Sequence, residues 1–310
     1  MAFGAQVLTQ RGIEDIAAVT SLRLIHTQAF TASSGTYTAP TEFTLNNGSV
    51  FFTGGYAGSG SVGTRVTRSG RDFSFVNAEA GIRFYTCLKA AAPVSSGYGI
   101  EMINGDGYAV IDTNNAPLWV KSEGNSTGTP HPMGGVYQHS ISTAANDIVM
   151  FSLTSGQMGV SYYNPTDGHV IIHNAQNIQY KVLSHIPKTA TPSFGMAIFN
   201  QSGNKVWDSE MPILNLQFAD ISTPGDGVIY TVPSGTNFFY MSSFSHITYD
   251  PFSGGQADYW IVFNAYALSR TSATSVTKTL IPINQIPGFG TAPAPANPNG
   301  WTYSVLCGRT

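Results

Sequence analysis

The sequence predicts an all-β protein made of three tandem β-sandwich-like domains related by an internal repeat. Three observations carry that expectation. Of the 310 residues, 42% are hydrophobic and 12% aromatic, yet only 10% are charged, well under the ~25% of an average soluble domain. Short apolar runs alternate with Gly, Pro, Asn and Ser turns, as in antiparallel sandwiches. Three segments also begin alike: FGAQVLTQRG from Phe3, YGIEMINGDG from Tyr98 and FGMAIFNQSG from Phe194.

Each element follows from this frame. The opening runs close on turn residues and read as the first hairpin of each unit. After Gly107 and Gly203 the chain continues as GYAVIDTNNAPLW and GNKVWDSEMPIL, with a shared Val and Asp and then a Pro before an apolar pair. Gly12–Ala29 carries Ile13, Ile16, Ala17 and Leu24 at near-helical spacing. Its counterparts contain Pro117, Pro212 and β-branched runs, so hairpin is the reading there too. Alternation at Phe73–Val76, Val170–Ile172 and Tyr259–Phe263 marks further strands. The units end alike as IRFYTCL, IQYKVLS and WTYSVLC, which sets Cys87 in the place of Leu183 and Leu306. Boundaries follow at 1–92, 93–189 and 190–310, with linkers at Ala90–Gly97 and Ile186–Pro192. The third unit adds Tyr249–Asp258 and a Pro/Gly-rich stretch, Ile286–Gly300, which cannot be a central strand because proline donates no ladder bond.

Charge and cysteine narrow the function. A net charge of −3 leaves no basic stripe to replace phosphate counterions, so no nucleic-acid partner is expected. The opening residues lack a basic stretch followed by an apolar one, so no secretory leader is expected. No run approaches 18 apolar residues, so no membrane-spanning helix is expected. The Asn-x-Ser/Thr sequences at Asn47, Asn125 and Asn200 are then chance matches. Cys87 and Cys307 make neither a disulfide framework nor a clustered metal site.

The candidate chemistries read mostly as structure. Gly58–Gly63 fits G-x-G-x-x-G, but nothing helical follows to face a pyrophosphate. Asn104-Gly105-Asp106-Gly107 resembles the start of a calcium loop; its counterparts lack the charge, which favours a turn. His169 and His173 share one strand face without a third ligand, and His131 and His139 sit in a Gly/Pro loop. Asp112 and Asp208, in separate units, suit turn bracing rather than acid–base work across a cleft. No catalytic residue, metal or cofactor is expected. The aromatics of the third unit remain. Tyr249 and Phe252 fall in a turn-like stretch, Thr248–Gly255, and are the candidate partner contacts, because loop aromatics add contact area at low entropy cost.

The opening Met1-Ala2-Phe3-Gly4, its apolar strand and its polar-Gly turn resemble structural proteins from the tail tips of long-tailed bacteriophages. The Gly-x-x-Val-x-Asp continuation fits in units two and three; unit one departs from it with Gly12-Ile13-Glu14-Asp15-Ile16. The resemblance implies a β-rich virion component at the distal tail, made in the bacterial cytoplasm, docked on other tail proteins and able to touch a host receptor. It implies no catalytic residue. The low charge adds the expectation of a symmetric homo-oligomer, with a trimer favoured. The rival class is a carbohydrate-binding or glycan-degrading β protein.

Overall fold

The computed structural model describes residues 6–9, 12–15, 22–43, 48–53, 65–76, 83–88, 101–103, 109–111, 116–130, 135–144, 147–164, 167–173, 175–189, 195–222, 229–241, 245–251, 259–288 and 303–309. The described part is all-β, and no helix in it is long and apolar enough to cross a membrane. A first series holds β1 (Gln6–Thr9), β2 (Gly12–Asp15), β3 (Arg23–Ala29), β4 (Gly35–Thr38), β5 (Gly48–Thr53), β6 (Arg65–Ser69), β7 (Asp72–Val76) and β8 (Arg83–Leu88). The second holds β9 (Met102–Ile103), β10 (Ala109–Ile111), β11 (Trp119–Thr127), β12 (Thr129–Pro130), β13 (Val136–Ile141), β14 (Ile148–Ser152), β15 (Met158–Asn164), β16 (Asp167–His173) and β17 (Asn177–Ser184). The third holds β18 (Ala197–Phe199), β19 (Lys205–Asp208), β20 (Asn215–Ser222), β21 (Ile229–Thr231), β22 (Phe238–Met241), β23 (Ser245–Pro251), β24 (Tyr259–Ser272), β25 (Ser275–Gly288) and β26 (Tyr303–Arg309).

One pairing plan recurs in all three series. A hairpin leads: β1-β2, β10-β9 and β18-β19. Then the last strand of the series lies between the strand that follows the hairpin and a later one, as β3-β8-β5, β11-β17-β14 and β20-β26-β22. A second run is β4-β7-β6, β13-β16-β15 and β21-β25-β24. The leading strands begin at Arg23, Trp119 and Asn215, 96 residues apart each time. The register slips at the same place in each: between Leu24 and His26, Val120 and Ser122, and Leu216 and Phe218. A bulge kept at a fixed offset is part of a fold's plan, since it bends the strand and adds twist.

The recurrences do not stand apart. β14 pairs β22 and β15 pairs β24, so residues 119–184 and 215–309 are hydrogen-bonded into joint sheets of six and eight strands. What recurs is thus a pairing plan. Three separate tandem domains do not follow from it, and the boundary at 92/93 lies outside the described residues. At β14 the joint six-stranded sheet is buried on both faces, which is why that strand reads as a continuous apolar run. Along β14, Val149 and Phe151 face one core with Val182 and Phe239, a cluster that also takes in Tyr37, Phe73, Phe75 and Phe84 of the first series. Ile148 and Met150 face another, shared with Tyr85 and Cys87 of the first series and Phe238 and Tyr240 of the third. Leu22, Leu118 and Leu214, each one residue before a leading strand, all enter this shared core.

Several expectations change on contact with the structure. Gly12–Ala29 contains strands β2 and β3, but the two are not a hairpin with each other: β2 pairs β1, and β3 pairs β8. Leu24 and Val120 face Cys87 and Leu183, but Leu216 faces Gly308, so the third counterpart of Cys87 is Gly308, not Leu306. The C-terminal match of the sequence was offset because Gly308 has no apolar side chain to align. β25 runs on through Pro287, opposite Trp260, so the Ile286–Gly300 stretch begins as strand; there, beyond the stretch that β21 covers, no strand among the described residues pairs its other side.

Candidate functional site

The polar face of the joint sheet begins where the shared core ends. On β17, Leu183 is in that core, while Lys181, Gln179 and Asn177 follow on the same face. Their partners across β11 are Glu123, Asn125 and Thr127. Lys181 is buried against Glu123, and its ammonium lies 4.5 Å from the centre of the Phe238 ring. The Thr127 hydroxyl donates to Asn177 Oδ1 at 2.8 Å.

This face opens into a cleft of about 730 Å³, lined by Asn125, Gln179, Ser152, Gln157, Thr236 and Arg270 among others. A smaller recess of about 370 Å³ adjoins it, sharing Asn125, Gln179 and Thr236 and adding Glu123, Tyr180 and Phe238. The cleft exists because β14 and β22 pair at Phe151↔Phe239 and Ser152↔Phe238 and then diverge into two turns. In the turn after β14, Gly156 holds φ 86°, and Thr154 N donates to Gln157 Oε1 at 2.8 Å. In the turn before β22, Gly235 holds φ 111°, a conformation that L side chains rarely adopt.

Arg270 ties these turns together from below. Its guanidinium is buried and donates to the carbonyls of Leu153 (2.9 Å), Gly235 (3.0 Å), Ala273 (2.8 Å) and Ser272 (3.2 Å). Guanidinium carries five donors in a fixed fork. With four carbonyls served, Arg270 is a strut of the cleft rather than a receptor for an anion. Asn237 helps, donating to the Pro233 and Gly235 carbonyls at 2.8 and 3.2 Å. The accessible lining is therefore mostly amides and hydroxyls, groups that can hydrogen-bond a neutral polar ligand. One carboxylate, Glu123, already beside Lys181, does not make a cleavage pair.

The residues singled out in the sequence lie elsewhere. Tyr249 is not in a turn: it sits in β23 opposite Ile261, on a strand with no counterpart among the described residues of the other two series. The run from Ser245 pairs residue by residue with β24, which carries the chain straight through Asp250-Pro251. Phe252 lies outside the described residues, as do Gly58–Gly63, Asn104–Gly107, Asp112 and His131. His139 is in β13, opposite Val170, and not in a loop. It is fully buried, with Nε2 3.2 Å from the Ala175 carbonyl and Nδ1 3.2 Å from Ser126 Oγ. Burial lowers its pKa, with the Ala175 bond opposing. His169 and His173 are both on β16, opposite Ser140 and Val136. Asn200–Gly203, the counterpart of the calcium-like loop, is a turn: Asn200 Oδ1 accepts from Ser202 N and Asn204 N, and Gly203 has φ 77°.

Asp208 braces a turn as expected, accepting from Glu210 N at 2.9 Å and lying 2.6 Å from Lys205. Cys87 and Cys307 are buried thiols; burial pushes both up, Cys307 to about 12. Among the described residues no group of three metal-ligating side chains converges. The cleft itself was missed in the sequence. Its only linear signal is the polar step Asn177-x-Gln179 entering an apolar strand. No protein family, curated protein or solved structure matches the chain.

Proposed function

We propose that the chain is a non-catalytic structural component of a phage tail tip that takes part in host attachment. The observation that carries this reading is the threefold recurrence of one pairing plan, two of the three joined edge to edge. Such a plan builds extended rigid surface and leaves additions to single repeats free for contact. The resemblance of the opening residues to tail-tip proteins supplies the setting: a virion protein made in the bacterial cytoplasm, with tail proteins and a host receptor as partners. The titratable groups described here are largely spent in structure, in pairs such as Lys121–Asp147, Lys181–Glu123 and Lys205–Asp208. Contact falls to Tyr249 on β23 and to Phe252, three residues on in the sequence. Antibody raised against the chain should decorate the distal tail of intact particles in electron micrographs. Particles that lack the chain altogether would end the reading. Tyr249→Ser with Phe252→Ser should leave assembly intact and weaken adsorption to cells.

The cleft favours a second reading, a carbohydrate-binding protein. Amides from Asn125 and Gln179 and the Ser152 and Thr236 hydroxyls suit the hydrogen-bonding groups of a neutral glycan. Binding to a glycan panel that Gln179→Leu abolishes would support it, and no binding to surface polysaccharide would count against it.

A further inference from the structure

We propose that β5 is a docking edge for a second copy of this chain, pairing β5 against β5 as β14 pairs β22 within it. The ground is the internal symmetry of the β14–β22 joint, independent of the tail-tip reading. Strand register makes Phe51, Met150 and Tyr240 counterparts, since they face Tyr85, Lys181 and Leu306 of their own last strands. The β14–β22 register, Phe151↔Phe239 and Ser152↔Phe238, continued by one residue sets Met150 opposite Tyr240. Counterpart thus faces counterpart, which is the definition of an isologous contact: each strand offers the same patch to the other.

Series one carries the same plan, yet among the described residues only β8 pairs β5, leaving its other edge without a ladder. The strand reads Gly48-Ser49-Val50-Phe51-Phe52-Thr53. It has no charge and no proline, the devices by which exposed edges are usually protected. β5 lies near β20 and β26, a proximity that seats the first series on the third but adds no ladder bonds. A second chain applying the internal rule would set Phe51 opposite its own counterpart, Val50 opposite Phe52, and Ser49 opposite Thr53. The partner is therefore a second copy, and the symmetry twofold, where composition alone had favoured a trimer.

The neighbouring strand limits the joint. β15 meets β24 at Met158↔Ser269 and Gly159↔Leu268, all uncharged. β6, their counterpart, carries Arg65 and Arg68. Two copies of β6 would bring like charges together, so the pairing is confined to β5 and strengthens as salt screens the arginines.

The test uses the whole chain. Sedimentation velocity across the micromolar range should show a monomer–dimer equilibrium that shifts toward dimer in high salt. Hydrogen exchange should show the Gly48–Thr53 amides slowed in the dimer relative to the dilute monomer. Ser49→Lys with Thr53→Lys places like charges directly opposite across the joint and should weaken the dimer at least about tenfold. A chain monomeric throughout, a trimer, or a dimer with β5 amides exchanging as in the monomer would overturn the proposal. So would a folded double variant that dimerises unchanged. If that variant does not fold, the exchange of the unmodified chain decides.

Discussion

Repeats two and three meet edge to edge, while repeat one meets them through a face. At the first joint, β14–β22 and β15–β24 supply backbone hydrogen bonds, which fix register residue by residue. At the second, Leu22, Tyr85 and Cys87 enter the shared core, and the Leu118 amide donates to the Leu22 carbonyl at 2.9 Å. Apolar burial is strong but non-directional. The same pairing plan is therefore compatible with two kinds of joint, and edge chemistry selects between them. The paired ends of β15 and β24 are uncharged, whereas β6 carries Arg65 and Arg68, with the Arg68 guanidinium drawn back over Phe43 and Phe73 at 5.3 and 5.5 Å.

The largest effect expected comes from one matched pair of substitutions. Phe239 and Phe73 are both fully buried in one apolar cluster, the first at the seam and the second against the Tyr37 and Phe43 rings of repeat one. Truncating a buried Phe to Ala costs about 3–5 kcal/mol. Phe239→Ala should lower the stability of residues 119–309 as one unit, because its strand joins both repeats. Phe73→Ala should lower mainly that of repeat one. Hydrogen exchange followed by mass spectrometry in graded urea distinguishes the two. Equal loss in all three repeats from either substitution would mean that the face joint is as cooperative as the edge joint.

Next comes Arg270, which ties the turns flanking the seam. Arg270→Met keeps much of the apolar stem and strips donors from four carbonyls, each buried acceptor left alone costing about 1–3 kcal/mol. Because these turns border the cleft and water can reach some of the freed carbonyls, a net loss of about 3 kcal/mol is expected, read from urea midpoints. A loss under about 1 kcal/mol would mean that the seam holds without its strut.

Much of this organisation was legible in sequence, and the reasons for the rest are physical. The threefold recurrence was visible because turn glycines, aromatic–glycine openings and apolar strand ends recur at fixed offsets. The joint between repeats was not, since edge-to-edge pairing depends on which strand edges the folded chain leaves uncovered and brings together, and that is a property of the tertiary arrangement. Tyr249 was misplaced for a local reason: Asp250-Pro251 and Gly254-Gly255 signal a turn, yet the long β24 template extends β23 through Asp250. His139 was misplaced by the glycines and prolines of residues 128–135. Gly128 serves instead to admit the ring: a Cβ there would lie 2.8 Å from the imidazole. The cleft was invisible because it needs Asn125, Gln179, Thr236 and Arg270 together, four positions spread over β11, β17, a turn and β24.

A pH titration gives a smaller effect, sited in and beside repeat two. Burial lowers the pKa of His139; burial also lowers that of His185, aided by Arg83 and opposed by Asp147. Folded pKa values below the unfolded ~6.5 mean that the unfolded chain binds the proton more readily. Stability is then fully present above about pH 6.5 and falls as pH drops from there toward the folded values, by at most about 1.4 kcal/mol per pH unit for each histidine. His139→Asn should flatten the slope between pH 7.5 and 5 by roughly half. Exchange protection of repeat one should change least over that range, and an equal change in every repeat would dissolve the distinction.

The smallest effect concerns Lys181, where the shared core turns polar. Its register counterparts are Tyr85 in repeat one and Leu306 in repeat three, so the cation is peculiar to the repeat that carries the cleft. Lys181 is 3% exposed while Glu123 is 45% exposed, and water therefore screens one end of the pair. Screened pairs contribute about 0–1 kcal/mol. The Phe238 ring under the ammonium holds part of the charge when the carboxylate goes. Glu123→Gln should accordingly cost under about 1 kcal/mol in low salt, and less in molar salt, where the Debye length falls to ~3 Å. Lys181→Leu restores the apolar residue of repeat three and should be neutral or slightly stabilising, as is often found when a buried cation is replaced by a packed hydrophobe. Urea midpoints at two salt concentrations measure both. A loss above about 2 kcal/mol for Glu123→Gln, unchanged by salt, would show a pair shielded from water. The polar face would then belong to the core and not to the cleft.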